Sequence, residues 1–359
     1  MALSELFCST NLPWLNVGGR EGDVVLSSRI RLARNFRGIP FPNRADFTQL
    51  ANVQAMALSV LPALEREVGE SFDQVDMDKA TALEREVLIE KRLVTRNFLQ
   101  NTQHRVALIS EGRHVSILVN EEDHLRIQCM VKGLDLDTPL SLASRMDDLV
   151  ESALDVAFDE KMGYLTSCPT NLGTGLRASV LLHLPGLVYT RNINNIINIS
   201  QQLGLSIRSF YGEDDQEWQG NVFQISNQLT LGFSEEEIIG NLKSAVGEIA
   251  SHERRARKAL ELYRKDQLED SVWRAYGILR HARFLSEKEV PDLVSKVRLG
   301  MDMGFIHEAG EGCFTEILIG SRTNYLQNLA GSDNMSGSEI DRMRAKAVRK
   351  ALSKETLIE

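Results

Sequence analysis

From Phe47 to Val68 the apolar residues Leu50, Val53, Ala57, Leu61, Leu64 and Val68 recur at three- and four-residue spacing. That period predicts an amphipathic helix, which Pro62 is expected to kink or split. Between Val106 and Val131 the pattern becomes one of strands. HRVALIS and HVSILVN flank the turn Glu111-Gly112-Arg113, and LRIQCMV follows the polar NEED loop. Met146, Leu149, Val150, Ala153, Leu154, Ala157 and Phe158 return to helical spacing, with Gly163 as the expected stop. Val180, Leu182 and Leu184 alternate as in a strand, and residues 192–203 read as a helix ended by Gly204. LSIRSF and NVFQISNQ are two further strands. Ser234 and Glu237 form the Ser-x-x-Glu pattern that opens a helix. Beyond them nearly every segment is helical, with the Gly/Asn/Ser-rich stretch 331–338 as a connector. The expected fold is α+β: an antiparallel-sheet domain over residues 1–253, then an all-helical domain over 254–359.

A chain of 359 residues is long enough for two such domains. Its net charge of −9 argues against nucleic-acid or anionic-membrane binding, so clustered arginines read as local anion sites. No apolar run reaches the roughly 18–20 residues of a membrane span. The start, MALSELFCSTNLPW, lacks the basic and apolar regions of a secretory signal. Four scattered cysteines, Cys8, Cys129, Cys168 and Cys313, have neither metal-site spacing nor disulfide-framework density. A reduced, cytoplasmic protein is expected.

The candidate chemistry lies in four segments: SSRIR (27–31), NEEDHLRI (120–127), CPTNLGTGLRASVL (168–181) and RSFYGED (208–214). Arg29 and Arg31 lie two apart in an extended segment and can share a face. Arg126, Arg177 and Arg208 each adjoin a loop at the end of an expected strand. Guanidinium groups grip phosphate oxygens bidentately and stay charged, so five of them could hold a triphosphate without a glycine-rich phosphate loop. The carboxylates of the NEED and GED loops could hold a cationic acceptor.

SSRIRLARN (27–35), NEEDHLR (120–126) and CPTNLGTGLRASV (168–180), in that order, resemble the catalytic domain of the phosphagen (guanidino) kinase family. The resemblance runs from about residue 20 to about residue 250. It implies ATP as phosphoryl donor, with Mg2+ carried by the nucleotide, and Arg29, Arg31, Arg126, Arg177 and Arg208 as the phosphate clamp. It further implies that Ser27, Ser28 and Ile30 line the nucleotide, together with the backbone of 177–181 (Ala178, Ser179, Val180 and Leu181 after Arg177) and of 208–213 (Ser209, Phe210, Tyr211, Gly212 and Glu213 after Arg208). Arg92 stands where bacterial members often have histidine, and is expected beside the nucleotide.

Within the family the likeness is to a bacterial branch that phosphorylates arginine side chains of proteins. Only 26 residues precede SSRIR, where enzymes for small guanidines carry a helical domain, and a helical region follows the catalytic one instead. A protein-borne arginine is therefore the expected acceptor. Partners implied by the resemblance are a heat-shock repressor, a Clp-type chaperone–protease, a small activator protein and a second copy of the chain. A kinase of free arginine or another small guanidine is the alternative enzyme, and a non-catalytic phosphoarginine- or ATP-binding adaptor the alternative outside enzymes.

An arginine side chain carries almost no free base at neutral pH. A carboxylate pair can hold its guanidinium and take the proton. Glu122 and Glu213 are the expected pair, with Glu121, Asp123 and Asp214 as competitors, and Cys168 matches the family's reactive cysteine. His124 is open between a loop-orienting bond and substrate contact. The basic run His252–Lys258 is expected to be a solvated helix face. The bacterial branch has an Arg-Asp-x-x-Arg-Ala phosphoarginine pocket, matched here by Ile340, Asp341, Arg342, Met343, Arg344 and Ala345. Ile340 removes one guanidinium, so phosphoarginine sensing is expected to be weak or absent.

Overall fold

The computed structural model describes residues 3–210, 219–307 and 312–353. An eight-stranded antiparallel sheet organises them. Its strands are β1 (Val25–Arg34), β2 (Phe72–Asp76), β3 (Val106–Ser110), β4 (Val115–Val119) and β5 (Leu125–Lys132), continued by β8 (Leu176–His183), β9 (Leu205–Ser209) and β10 (Val222–Asn227). A separate two-stranded ladder joins β6 (Phe158–Asp159) to β7 (Gly163–Tyr164). The order across the main sheet is β2-β3-β4-β5-β1-β8-β10-β9, so β1 lies near its middle.

Each strand turns alternate side chains to opposite faces. On one face Ile30, Leu32, Ile127, Leu176, Ala178, Val180 and Ile225 form a dry core. The helices α1 (Leu3–Cys8), α2 (Phe47–Val68), α3 (Ala82–Glu90), α4 (Asp137–Ala153), α5 (Pro185–Tyr189), α6 (Ile193–Gln202) and α7 (Glu235–His281) divide between the two faces. The dry face receives α2, α4, α5, α6 and the first half of α7. The other face carries a polar centre, flanked by Met130, Leu181 and Val222. Those residues share a core with Trp14, α3 and the second half of α7. The same core takes in α8 (Glu289–Asp302), α9 (Cys313–Gly320), α10 (Thr323–Ala330) and α11 (Gly337–Leu352).

The capping box at Ser234 and Glu237 forms as the pattern predicts. Helix α7 then runs unbroken past residue 253, and its departure from helical dihedrals comes at Arg264 (φ −143°, ψ 28°). One helical expectation is narrowed and one needs correction. α2 passes through Pro62 without splitting, with Val60, Leu61 and Leu64 buried on either side of it. α4 ends at Ala153, ten residues before Gly163, because the chain turns into the β6–β7 ladder and leaves Phe158 exposed. α2 is also long and apolar enough to cross a membrane by length and composition, contrary to the sequence expectation. Its apolar stripe lies instead in the core against α4.

Candidate active site

The sheet register gathers the five arginines. Arg29 lies opposite Met130 and Ser179, and Arg31 opposite Gln128 and Arg177. Arg126 pairs with Ala33, and Arg208 on the edge strand pairs with Gln224. All five therefore project from the same face, the polar one. Arg29 donates from Nε to Ser179 Oγ (3.1 Å) and from Nη2 to Gln224 Oε1 (2.9 Å). Arg177 Nη2 donates to Ser226 Oγ (3.3 Å). Burial, then the neighbouring Arg92, Arg126 and Arg177, push Arg29 down to about 9. Burial and the guanidinium groups of Arg29, Arg126 and Arg177 also push Arg31 well down, against Glu121, and among the described residues its buried Nε has no hydrogen-bond partner. Guanidinium groups stay protonated in proteins. The crowding is thus a positive potential that Glu121 offsets only in part and a polyanion would relieve.

The predicted lining divides between the faces. Ser27, Arg29, Arg92, Ser179, Leu181 and Phe210 border one pocket together with Trp14, Met130 and Gln224. The Arg92 guanidinium lies 4.3 Å from the centre of the Phe210 ring. Ile30, Ala178 and Val180 belong to the dry core, so only their backbone can approach a nucleotide. Ser28 also faces away: its hydroxyl donates to the Gly133 carbonyl (2.8 Å) and accepts from Asp135 N (3.1 Å). Strand alternation leaves these four positions a backbone approach only, and for Ala178 and Val180 that is the expected one. Ser209 lies on the edge strand opposite Phe223. Tyr211, Gly212, Glu213 and Asp214 lie outside the described residues.

The acidic loop follows β4, starting from Asn120 in the left-handed region (φ 60°). Its four acidic and imidazole side chains have distinct surroundings. Glu121 is buried and bound to Arg126 Nη1 (2.5 Å), the Thr95 hydroxyl (2.5 Å) and Glu122 N (3.1 Å). Burial alone would raise its pKa; Arg126 and these hydrogen bonds outweigh burial and lower it. Asp123 accepts from Asn35 Nδ2 and from Ser167 N, both at 2.7 Å, and anchors the turn that precedes Cys168. His124 is fully buried: Nδ1 accepts from Phe36 N and Nε2 donates to the Pro40 carbonyl, both at 2.9 Å. It orients the loop. Glu122 is only partly buried, and among the described residues its carboxylate has no hydrogen-bond partner. Burial raises its pKa, Glu121 and Asp123 add to the rise, and Arg126 and Arg31 oppose it.

Cys168 is partly exposed at the head of the Pro169–Asn171 turn, its Sγ 3.0 Å from Thr170 Oγ1. The charge environment of Arg177 links these parts. Burial lowers its pKa, Arg208 and Arg126 push the same way, and Cys168 and Glu122 push back. Guanidinium groups, an unpinned carboxylate and a thiol thus meet around the open end of β8.

Residues 54–256 match the family model described as the ATP:guanido phosphotransferase C-terminal catalytic domain. The chain belongs to the ATP:guanido phosphotransferase family. Residues 265–357 match a second model, the protein-arginine kinase McsB C-terminal domain. The two matches meet around the Arg264 kink. A protein-arginine kinase of Bacillus cereus (strain AH820) is 42% identical over 352 residues, covering 98% of this chain and 99% of that protein. One from Desulforamulus reducens is 43% identical over 358 residues, with the same coverage. Among solved structures, lombricine kinase aligns with a TM-score of 0.58 at 26% identity, over 68% of this chain and 70% of that one. The duplicated taurocyamine kinase of Schistosoma mansoni aligns at 0.57 and 23% identity, over 74% of this chain and 39% of that one, a likeness of fold.

For a phosphotransferase of this family, several useful residues were invisible as single letters. Asn35, closing the SSRIRLARN motif, donates to Asp123 and the Leu165 carbonyl and accepts from His124 N (2.9 Å). Gln128 and Gln224 hold Arg29, and only the strand register could have nominated them. The basic run 252–258 is a solvated face on one side only: His252, Arg255 and Lys258 are exposed, whereas Glu253, Ala256 and Arg257 are buried. Glu253 is fully buried, accepts from Gly186 N and Leu187 N, and pairs with Arg257 (2.7 Å). Arg257 reaches Asp302 on α8 (3.1 Å), and Arg254 reaches Asp23 (2.5 Å).

In the C-terminal motif, Arg344 is buried and already engaged. It donates to the carbonyls of Ser321 (2.7 Å) and Leu285 (2.9 Å), to the Thr323 hydroxyl (2.8 Å) and to Asp341. Ile340 and Ala345 are buried as well. Arg342 lies over the Phe284 ring and, with Met343, lines a separate cleft with Arg283, Lys346 and Arg349.

Proposed function

We propose that the chain is a protein-arginine kinase, transferring the γ-phosphoryl group of ATP to arginine side chains of proteins. The observation that carries this reading is the arginine-lined face beside an unpinned Glu122, in a chain that matches protein-arginine kinases along almost its whole length. That end-to-end match, with the second family model over 265–357, favours a protein acceptor over a small guanidine.

Arg29, Arg31, Arg126, Arg177 and Arg208 hold the phosphates, and the pocket bordered by Trp14, Arg92, Met130, Leu181 and Phe210 receives the base. The buried, unpartnered Nε of Arg31 supports this fit. Mg2+ enters with the nucleotide, held mainly by phosphate and water. Glu122, together with Glu213, grips the acceptor guanidinium and positions a nitrogen in line with the γ-phosphorus. As the N–P bond forms, the bond from γ-phosphorus to the bridging oxygen breaks, ADP leaves, and Glu122 takes the nitrogen's proton. Cys168 adds negative potential beside the acceptor. Glu121 serves as the brace of Arg126.

Residues 1–253 act as the catalytic domain and 254–359 as the helical domain for dimerisation and substrate or partner docking. The exposed Leu262 and Tyr263 beside the Arg264 kink support that interface role. The setting is cytoplasmic, in a stress response, and partners are a heat-shock repressor, a Clp-type chaperone–protease and a small activator. The test is incubation with ATP, an unfolded protein and free arginine, read by mass spectrometry that preserves acid-labile N–P bonds. Phosphate on protein arginines is expected. Phosphate on free arginine alone overturns the reading.

A further inference from the structure

We infer that the loop 228–233 is a docking surface for apolar side chains flanking the target arginine in an extended polypeptide; the inference rests on the protein-arginine reading. Between β10 and α7 this loop exposes Leu229, Leu231 and Phe233, each with 44–58% of its surface in solvent. Single exposed apolar residues are ordinary, but a concentration of them marks an interaction site. Here the concentration is tied to the acceptor end of the site. Thr230, between the two leucines, is buried and donates its hydroxyl to the carbonyls of Thr170 (3.1 Å) and Leu172 (2.6 Å), in the turn headed by Cys168. Asn227 Nδ2 reaches the Leu229 carbonyl (3.3 Å) while its Oδ1 accepts from Ala178 N (2.9 Å), one residue from Arg177.

A second apolar segment converges on the same turn. Gly173 sits so tightly between chains that an added Cβ would lie 2.9 Å from Leu231 Cα. Its carbonyl accepts from Tyr164 N (2.8 Å), and a Cβ on Gly163 would meet that same oxygen at 2.4 Å. The β6–β7 ladder so anchored exposes Phe158 and Met162. Three backbones thus stack at Gly163, Gly173 and Leu231, and the apolar side chains of the outer two lie to either side of the acceptor turn. A folded protein presents arginine from a polar surface, whereas an unfolded segment carries apolar neighbours with it. Continuity with the acceptor turn makes such a segment the fitting occupant.

The test uses the full-length enzyme and two peptides carrying one arginine each, flanked by leucine and phenylalanine or by serine. The wild type is expected to prefer the apolar peptide by about tenfold in kcat/KM, the difference that a 1.4 kcal/mol contact makes. In the double variant Leu229→Ser/Leu231→Ser that preference falls below about twofold, and turnover of the serine-flanked peptide is retained. Equal use of both peptides by the wild type overturns the inference but leaves the protein-arginine reading standing. Phosphorylation of neither peptide, with free arginine modified, overturns both. Equal loss of both peptides in the variant marks a structural role for the loop and overturns docking. So does a change of oligomeric state on light scattering with the preference intact, which assigns the surface to a second copy.

Discussion

Glu122→Gln keeps the shape of the side chain and removes its charge and basicity. Positioned general bases contribute about 10²–10⁴ in rate, or about 2.7–5.5 kcal/mol of barrier at 1.36 kcal/mol per decade. Folding should hardly register the change. The carboxylate is partly exposed and has no hydrogen-bond partner among the described residues, so stability should move by no more than about 0.5 kcal/mol. Steady-state phosphorylation of an unfolded protein, with thermal melting alongside, separates the two effects. The expected outcome is a kcat lower by at least about 10², an unchanged KM for ATP and an unchanged Tm.

The pH profile gives an independent check. A base works deprotonated, so the rate is full above its folded-state pKa and is lost as pH falls through that value. Burial raises the pKa of Glu122, with Glu121 and Asp123 adding to it. The acid limb of kcat/KM should therefore lie above the ordinary carboxylate range and vanish in Glu122→Gln. A variant within about threefold of wild-type kcat, far short of the loss of a general base, would refute the assignment. A rise in KM for ATP at unchanged kcat would move Glu122 to the nucleotide side.

Three other substitutions probe the surroundings. Gln224→Glu places a carboxylate on Arg29, where a neutral amide oxygen now accepts at 2.9 Å. A charged hydrogen bond exceeds a neutral one by about 1 kcal/mol, so Tm should rise while ATP affinity, read by calorimetry, falls at least about tenfold. Asn35→Ala removes the brace shared by Asp123, Leu165 and His124; a loss of about 1–3 kcal/mol in denaturant unfolding is expected, with kcat falling more than ATP affinity. Arg344→Ala strips a buried guanidinium from four partners, and a loss of about 3–5 kcal/mol is expected. Free phosphoarginine titrated against the wild-type kinase should leave activity unchanged, since Arg344 is engaged and Ile340 offers no guanidinium.

Much of the site was legible because its residues sit on strands with a two-residue period. Arg29 and Arg31 could be assigned one face from spacing alone, and the family motifs supplied Arg126, Arg177 and Arg208. Reading the carboxylates was harder. Glu121, Glu122 and Asp123 are adjacent letters, and their roles separate only through Arg126, Thr95, Asn35 and Ser167, the last two contributed from distant segments. Long-range pairing likewise defeated the reading of 252–258. The Glu253–Arg257 spacing is visible, but Asp23 and Asp302 are far along the chain. The end of α4 was missed for a related reason: a two-residue ladder overrides a local signal.

The acceptors chosen for the arginines explain how a net-acidic chain keeps an anion site open. Carboxylates pair two of the buried arginines away from the cleft: Arg34 with Asp147, and Arg257 with Glu253 and Asp302. In the cleft, Arg29 is held by Ser179, Gln128 and Gln224, and Arg177 by Ser226. A hydroxyl or amide oxygen fixes the direction of a guanidinium without cancelling its charge, so the attraction remains for phosphate. Arg126 differs from these two: it is bound to Glu121 at the boundary with the acidic loop. Under the proposed function, the neutral acceptors of Arg29 and Arg177 leave their charge for the nucleotide, while Glu122, unpinned among the described residues, remains for a cationic acceptor. On that reading, carboxylates in place of those neutral acceptors would stabilise the fold and weaken nucleotide binding, so the burial and mutual repulsion of Arg29 and Arg31 are the cost of keeping the site open.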